Sequence, residues 1–125
     1  MNLFDPTQNL LEAAMRGAAQ RQSALSRNLA NANTPGYQRL DVDFHSALQD
    51  AWSNTNVGRA PSAGGVLHDT AFETQADNAA TMRQDGGTVD LDVEASNLAA
   101  NGLEYEALVS VARARNEILK SALGG

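Results

Sequence analysis

Five residues near the end of this chain fall seven apart without exception: Leu91, Leu98, Tyr105, Ala112 and Leu119. Ala95, Gly102, Val109 and Leu123 each follow a member of that series by four residues, with Asn116 as the polar exception. A heptad of this kind lays one seam along an α-helix and cannot be satisfied by a strand, whose side chains alternate. Leu108, Val111 and Ile118 widen the seam on one side. The spacing predicts a helix from about Leu91 to Ala122, with Lys120 suiting its negative end.

The other end of the chain repeats the design. Asp5-Pro6 reads as a helix start, because Asp5 can cap and Pro6 suits the first helical position. From there to about Asn33 only Gly17 interrupts the pattern. Leu11, Met15, Ala18, Leu25, Leu29 and Ala32 form a second narrow heptad seam, with Gln22 at the missing step. The segment holds about 28 residues, roughly 42 Å of helix. A pattern that long suggests a coiled coil rather than an ordinary globular helix.

Between the two seams the signal is weak. Arg39 to Phe44 alternates polar and apolar, as one short strand would, and His45 to about Trp52 reads as a short helical turn. From Ser53 to Gly87 glycine and proline punctuate the chain. The large apolar residues between His45 and Thr88 are too few for an independent core, so this stretch reads as a surface loop or a segment ordered only in an assembly. The fold class expected is mainly α: two long terminal helices pairing as a coiled coil, with an irregular middle carrying at most short β elements. The divisions are 1–33, 34–90 and 91–125.

Composition bears on how such helices pack and what they bind. Hydrophobic residues make up 42% of the chain, but 22 of them are alanine. Packing must come from close helix approach or from a partner chain. The net charge is −6 and the nine basic residues form no cluster, which argues against nucleic acid and anionic membrane as partners. Without cysteine there are no disulfides, thiolate metal sites or thiol nucleophiles, and the chain is indifferent to redox compartment. The first twenty residues have neither the basic nor the long apolar region of a cleaved secretory signal, and no run reaches membrane-spanning length. The default reading is cytoplasmic, unless export takes another route.

The candidate chemical sites fail one by one. Asp85-Gly86-Gly87 resembles part of a calcium loop, but either glycine at the sixth position puts Thr81 and Arg83, or Met82 and Gln84, where acidic ligands belong. A Gly-Gly turn before an acidic helix start explains the stretch. His45 and His68 have no converging partners at metal-binding spacing. Ser23, Ser26, Ser62 and Ser110 occupy no nucleophile elbow, and no phosphate-binding or dinucleotide loop is present. Neither enzyme activity, cofactor, metal nor small-molecule substrate is expected.

The asparagines are more informative. Asn28, Asn31 and Asn33 crowd the last turns of the first helix, although asparagine weakens helices. Amides beside a helix seam can fix register and partner number at a cost in stability. Thr34-Pro35-Gly36-Tyr37 then fits a type II turn, with proline second and glycine third.

These residues carry a resemblance. The stretch LSRNLANANTPGYQRLDVDF, residues 25–44, resembles the N-terminal signature of bacterial flagellar rod and hook proteins. DGGTVDLDVEASNLAANGLEYEALVSVARARNEILKSAL, residues 85–123, resembles the proximal-rod members, with Asp85-Gly86, Val89-Asp90 and Asn101-Gly102-Leu103-Glu104-Tyr105 at the matching places. The short chain also favours the small rod proteins. The resemblance implies a structural subunit of the proximal rod, exported by the flagellar type III apparatus without a cleaved signal. Implied partners are further copies of itself, neighbouring rod proteins, the adaptor FliE and the base formed by the MS ring and export gate. It also implies terminal helices that order on assembly into concentric layers of a hollow shaft.

On that reading Leu11, Leu25, Leu29, Leu98, Tyr105, Val109 and Leu119 pack the assembly. Asn28, Asn31 and Asn33 set its register, and Pro35-Gly36 turns the chain outward so that Tyr37 can meet a neighbour. Two alternatives remain open. Within the family it is the other small proximal-rod protein, FlgC, against which the Asp-Gly-x-x-Val-Asp stretch argues. Outside it is a soluble helical-hairpin adaptor or chaperone, which leaves the asparagine-rich helix end without a purpose.

Overall fold

The terminal seams do become the two long helices of the molecule. A computed structural model of the chain describes residues 6–56, 72–78, 82, 84 and 86–124. In chain order these form α1 (Pro6–Ala30), β1 (Leu40–Asp41), α2 (Phe44–Asn56), β2 (Gln75–Ala76) and α3 (Leu91–Ala122). The expected Asp5 cap, His68 and Ser62 lie outside the described residues.

α1 ends three residues earlier than its seam suggests. The Asn31 side chain donates to the Arg27 carbonyl at 2.8 Å and accepts from the Thr34 hydroxyl at 3.2 Å, so the amide serves the helix end rather than extending the helix. The turn follows as its residues demand. The Tyr37 N–H donates to the Thr34 carbonyl at 3.2 Å, and Gly36 adopts a φ of 75°, a conformation in which a side chain would be strained.

The alternating stretch after the turn yields only two strand residues. Leu40 and Asp41 pair antiparallel with Ala76 and Gln75. Asp43 then caps α2 by accepting from the Ser46 N–H at 3.2 Å, and the expected short helical turn extends to 13 residues. α3 begins where the acidic cluster predicts. Asp90 caps it by accepting from the Asp92 and Val93 amides, and Asp92 and Glu94 lie in its positive first turn.

α1 and α3 make the largest contact in the molecule and run antiparallel: Asn28 meets Glu94, and the Ala18 carbonyl meets Asn101. The rotation of α3 departs from the one its apolar residues suggest. Its buried residues are Glu94 and Asn101, with Leu98, Leu108, Ala112 and Leu119 half-buried beside them. Leu91, Ala95 and Leu123, which the heptad places on the seam, are exposed. The cause is hydrogen bonding. Glu94 and Asn101 find partners on α1 and at Arg39 just before β1, and these directional contacts set the helix rotation more strongly than small alanine surfaces can.

Packing is close because the α1 face is made of small residues. Ala13, Ala18 and Ala24 form a core with Val42, Phe44 and Phe72, against which Leu40, Ala47, Leu48 and Leu108 pack. Phe72 thus brings the irregular middle into the shared core, set edge-on to Phe44 at 6.2 Å between ring centres. Gly17 receives the Phe44 side chain. A Cβ there would lie 2.7 Å from Phe44 Cβ and Cγ, closer than real contacts allow. That close approach explains the glycine within α1. Gly17→Ala is expected to destabilise the chain by about 1–3 kcal/mol through overpacking, despite alanine's better helix propensity. Urea denaturation measures it, and a gain in stability would show that Phe44 moves aside freely.

Candidate functional site

Beneath the Thr34–Tyr37 turn lies a polar junction that joins the end of α1, β1, β2 and the start of α3. Asn28, fully buried, is its centre. Its amide nitrogen donates to the Leu40 carbonyl at 2.6 Å and to Glu94 Oε1 at 2.7 Å. Its oxygen accepts from the Leu40 N–H at 2.9 Å and the Tyr37 hydroxyl at 3.0 Å. An amide has two donor hydrogens and two acceptor lone pairs, so all four are used. Towards Leu40 the side chain acts as a neighbouring strand would.

Glu94 is 1% exposed, and its charge is met by Arg39. Arg39 Nε donates to Glu94 Oε2 at 2.8 Å, and Nη2 approaches Oε1 at 3.4 Å. The same guanidinium reaches Asp77 at 2.8 Å and Asp41 at 3.2 Å. Arg21 on α1 supplies a second cation, with Nε 2.9 Å from Asp41 Oδ1. The Arg39 backbone is held too. Its N–H donates to the Thr88 hydroxyl, which donates to the Tyr37 carbonyl, and its own carbonyl accepts from the Asp77 N–H.

The titrating groups follow this geometry. Burial opposes the Arg39 charge, but hydrogen bonds and attraction from Glu94 and Asp41 prevail and raise its pKa above the ordinary arginine value. Burial pushes Asp41 up. The hydrogen bonds from Arg21 and the Val42 amide, with the charges of Arg21 and Arg39, outweigh it and hold the carboxyl below its usual value. Burial raises the Tyr37 hydroxyl, which Arg27 opposes and Glu94 reinforces, so it stays protonated to donate to Asn28.

A second polar contact lies two turns along α3. Asn101 Nδ2 donates to the Ala18 carbonyl at 2.9 Å and to Gln22 Oε1 at 2.8 Å. The helix pair is therefore pinned at two levels, and sliding either helix breaks both. The groups around this junction are occupied with one another. A cleft of about 530 Å³ opens beside it, but Arg21, Asp41 and Asp77 in its wall are paired and His45 contacts Glu104 at 2.6 Å. Among the described residues no three His, Cys, Asp or Glu side chains converge to hold a metal.

The structure brings Asn28 and Tyr37 together and leaves the other expected residues apart. Leu25 is buried; Leu11, Leu29, Asn31, Leu98, Val109 and Leu119 are half-buried; Asn33, Pro35, Gly36 and Tyr105 are exposed. Arg39, Glu94, Thr88 and Asp77 were not singled out as site residues by the sequence, and Asn101 only as part of the family resemblance. One signal was present: Glu94 and Asn101 lie seven apart beside the apolar series, as polar members of a seam do.

This junction contains most of the N-terminal signature, and the comparisons fall on it. The family model described as flagella basal body rod protein matches residues 9–38, from the first turns of α1 through the turn. The flagellar basal body rod protein FlgB of Yersinia ruckeri is 34% identical over 116 residues, 85% of each chain. FlgB of Bacillus subtilis is 31% identical over 127 residues, 100% of this chain and 98% of that one. FlgB of Escherichia coli K12 is 32% identical over 125 residues, covering 88% and 87%.

The chain belongs to the FlgB family of flagellar basal body rod proteins. It is a structural subunit of the proximal rod and not an enzyme. The polar junction accordingly serves architecture: it holds the two terminal helices of the rod subunit in one register. None of the helices among its described residues is long and apolar enough to cross a membrane.

Arg39→Ala is expected to cost about 3–5 kcal/mol, because it leaves the buried Glu94 carboxylate without its cation; Glu94→Ala should cost less, because Arg39 keeps Asp41 and Asp77. The double variant should cost less than the sum of the two, and strictly additive losses in urea denaturation would contradict the pairing. Asp41 has a folded pKa below its unfolded one. Its contribution is thus present above the unfolded carboxylate range, near about pH 4, and is lost as pH falls through the lower folded value. Asp41→Asn should reduce stability at neutral pH and flatten the acid-side loss; parallel acid limbs for the two chains would exclude the linkage.

Proposed function

We propose that this rod subunit leaves the cell through the flagellar type III apparatus without a cleaved signal and polymerises through its terminal helices into the hollow periplasmic shaft. Its neighbours there are further copies of itself, other rod proteins, the adaptor FliE and the base formed by the MS ring and export gate. The observation that carries this reading is the antiparallel pair α1–α3, fixed in register at Asn28–Glu94 and at Ala18–Asn101. A shaft that transmits torque needs subunits whose long helices do not slide, and α3 supplies an element about 48 Å long. The half-buried Leu11, Leu29, Leu98, Val109 and Leu119, with the partly exposed Tyr105, pack against neighbours where α1 and α3 leave them uncovered. Asn33 and Pro35-Gly36, exposed beyond the helix end, meet an adjacent subunit, whereas Tyr37 is not turned outward as its place after the turn suggests, because its hydroxyl folds back to donate to Asn28 of its own chain.

Leu29→Asp and Leu98→Asp are expected to abolish swimming while the protein is still exported. Normal motility in both would remove these positions from the assembly contacts. Electron cryotomography of cells lacking the gene in frame checks the role itself. Basal bodies with an MS ring and no rod are expected, whereas complete rods would refute a proximal position.

A further inference from the structure

Gly102 sits inside α3 without a packing reason. A Cβ there would meet nothing within 4 Å, unlike one at Gly17, and glycine weakens a helix interior. Its neighbour Asn101 is tightly held. Asn101 is 1% exposed, and its Nδ2 donates to the Ala18 carbonyl at 2.9 Å and to Gln22 Oε1 at 2.8 Å. Its Oδ1 is buried and accepts no hydrogen bond among the described residues. The position therefore calls for an amide nitrogen, because the groups that face it are acceptors. Asn101 is also the asparagine that precedes a glycine. Every other asparagine of the chain is followed by leucine, alanine, threonine, valine or glutamate.

We infer that Asn101-Gly102 is a spontaneous modification site, open in the unassembled chain and closed once α3 lies against α1. In an undocked chain the Gly102 backbone nitrogen reaches the Asn101 side-chain carbonyl carbon, because glycine has no Cβ to obstruct the approach. That nitrogen bonds to the carbon, a succinimide ring closes, and the side-chain nitrogen leaves as ammonia with the proton from Gly102. Water then opens the ring at either carbonyl, giving aspartate or isoaspartate. One water is consumed, one ammonia is released and one negative charge is gained. In the docked helix the reaction stops. Helical backbone angles keep the Gly102 nitrogen away from that carbon, and the two hydrogen bonds fix the amide. The product does not fit the ordered subunit. Aspartate sets a buried carboxylate against the Ala18 carbonyl; turning the Gln22 amide supplies one donor, but Ala18 supplies none. Isoaspartate lengthens the backbone by one carbon within the helix. The site thus gives an unassembled subunit a limited lifetime, after which α3 loses its second pin to α1. This rests on the proposed assembly role, in which the terminal helices order as the subunit joins the shaft.

The purified full chain is incubated at mildly alkaline pH while peptide mass spectrometry follows each asparagine, and amide hydrogen exchange on the same samples reports whether α3 is open. Asn101 is expected to convert about tenfold faster than any other asparagine. In urea, where both chains are unfolded, Gly102→Ala should slow that conversion about tenfold. An open α3 in which Asn101 reacts no faster than the rest, or a Gly102→Ala chain that reacts as fast as the natural one, overturns this inference alone. An α3 already protected in the unassembled chain overturns it together with the reading that the helices order on assembly. Subunits in isolated basal bodies should retain asparagine at 101, and an Asn101→Asp chain should be exported without supporting swimming. Basal bodies as converted as the aged free chain, or normal swimming with Asn101→Asp, would overturn the exclusion of aged subunits.

Discussion

The carboxylate of Glu94 is buried in the first turns of α3, and the rest of the molecule is arranged around keeping it paired. Removing such a charge from water costs several kcal/mol unless partners surround it. Here the partners come from elements that are distant in sequence: Arg39 just before β1 and Asn28 near the end of α1. No one of these elements satisfies its polar groups alone. Asn28 needs Leu40 and Glu94, Glu94 needs Arg39, and Arg39 draws in Asp77 beside β2. The Pro-Gly turn makes this possible. It reverses the chain within a few residues of Asn28, so that Tyr37, Arg39 and Leu40 return to the helix they have just left.

Around this polar center the apolar packing is thin and close. Alanines on α1 let the helices approach, and Gly17 lets Phe44 lie against the α1 backbone. Such a core buries little area per residue, so specificity rests on hydrogen bonds more than on hydrophobic bulk. The anchoring is also uneven. Glu94 and Asn101 lie in the first half of α3, whereas from residue 109 onward the described helix is half-buried at best. The subunit thus has a firmly held junction and an α3 end rich in unsatisfied apolar surface, as suits a component whose outer contacts are completed by other chains.

The long helices, their near-complete boundaries, the type II turn, the acidic start of α3 and the family signature were all legible in the residue order. Each depends on local physics: heptad spacing, proline and glycine geometry, or acidic side chains suiting the positive end of a helix. Asn28 also stood out in the sequence, because an amide in a helix seam is conspicuous. Its partners did not. Arg39 reads as one of several charges in an alternating stretch, and Glu94 as an acid favouring a helix N-terminus. Their meeting depends on a contact across 55 residues. The rotation of α3 was missed for the same reason, since the apolar heptad implied Leu91 and Ala95 inward while Glu94 and Asn101 are the residues that found partners.

The sequence by itself determined that this chain makes two long terminal helices broken by a fixed turn, because those features follow from neighbours a few residues apart. Only the tertiary structure decided which faces of those helices meet and which remain open. That choice is made by buried polar groups, whose hydrogen bonds are directional and whose partners lie far along the chain, and no local pattern records where they will be.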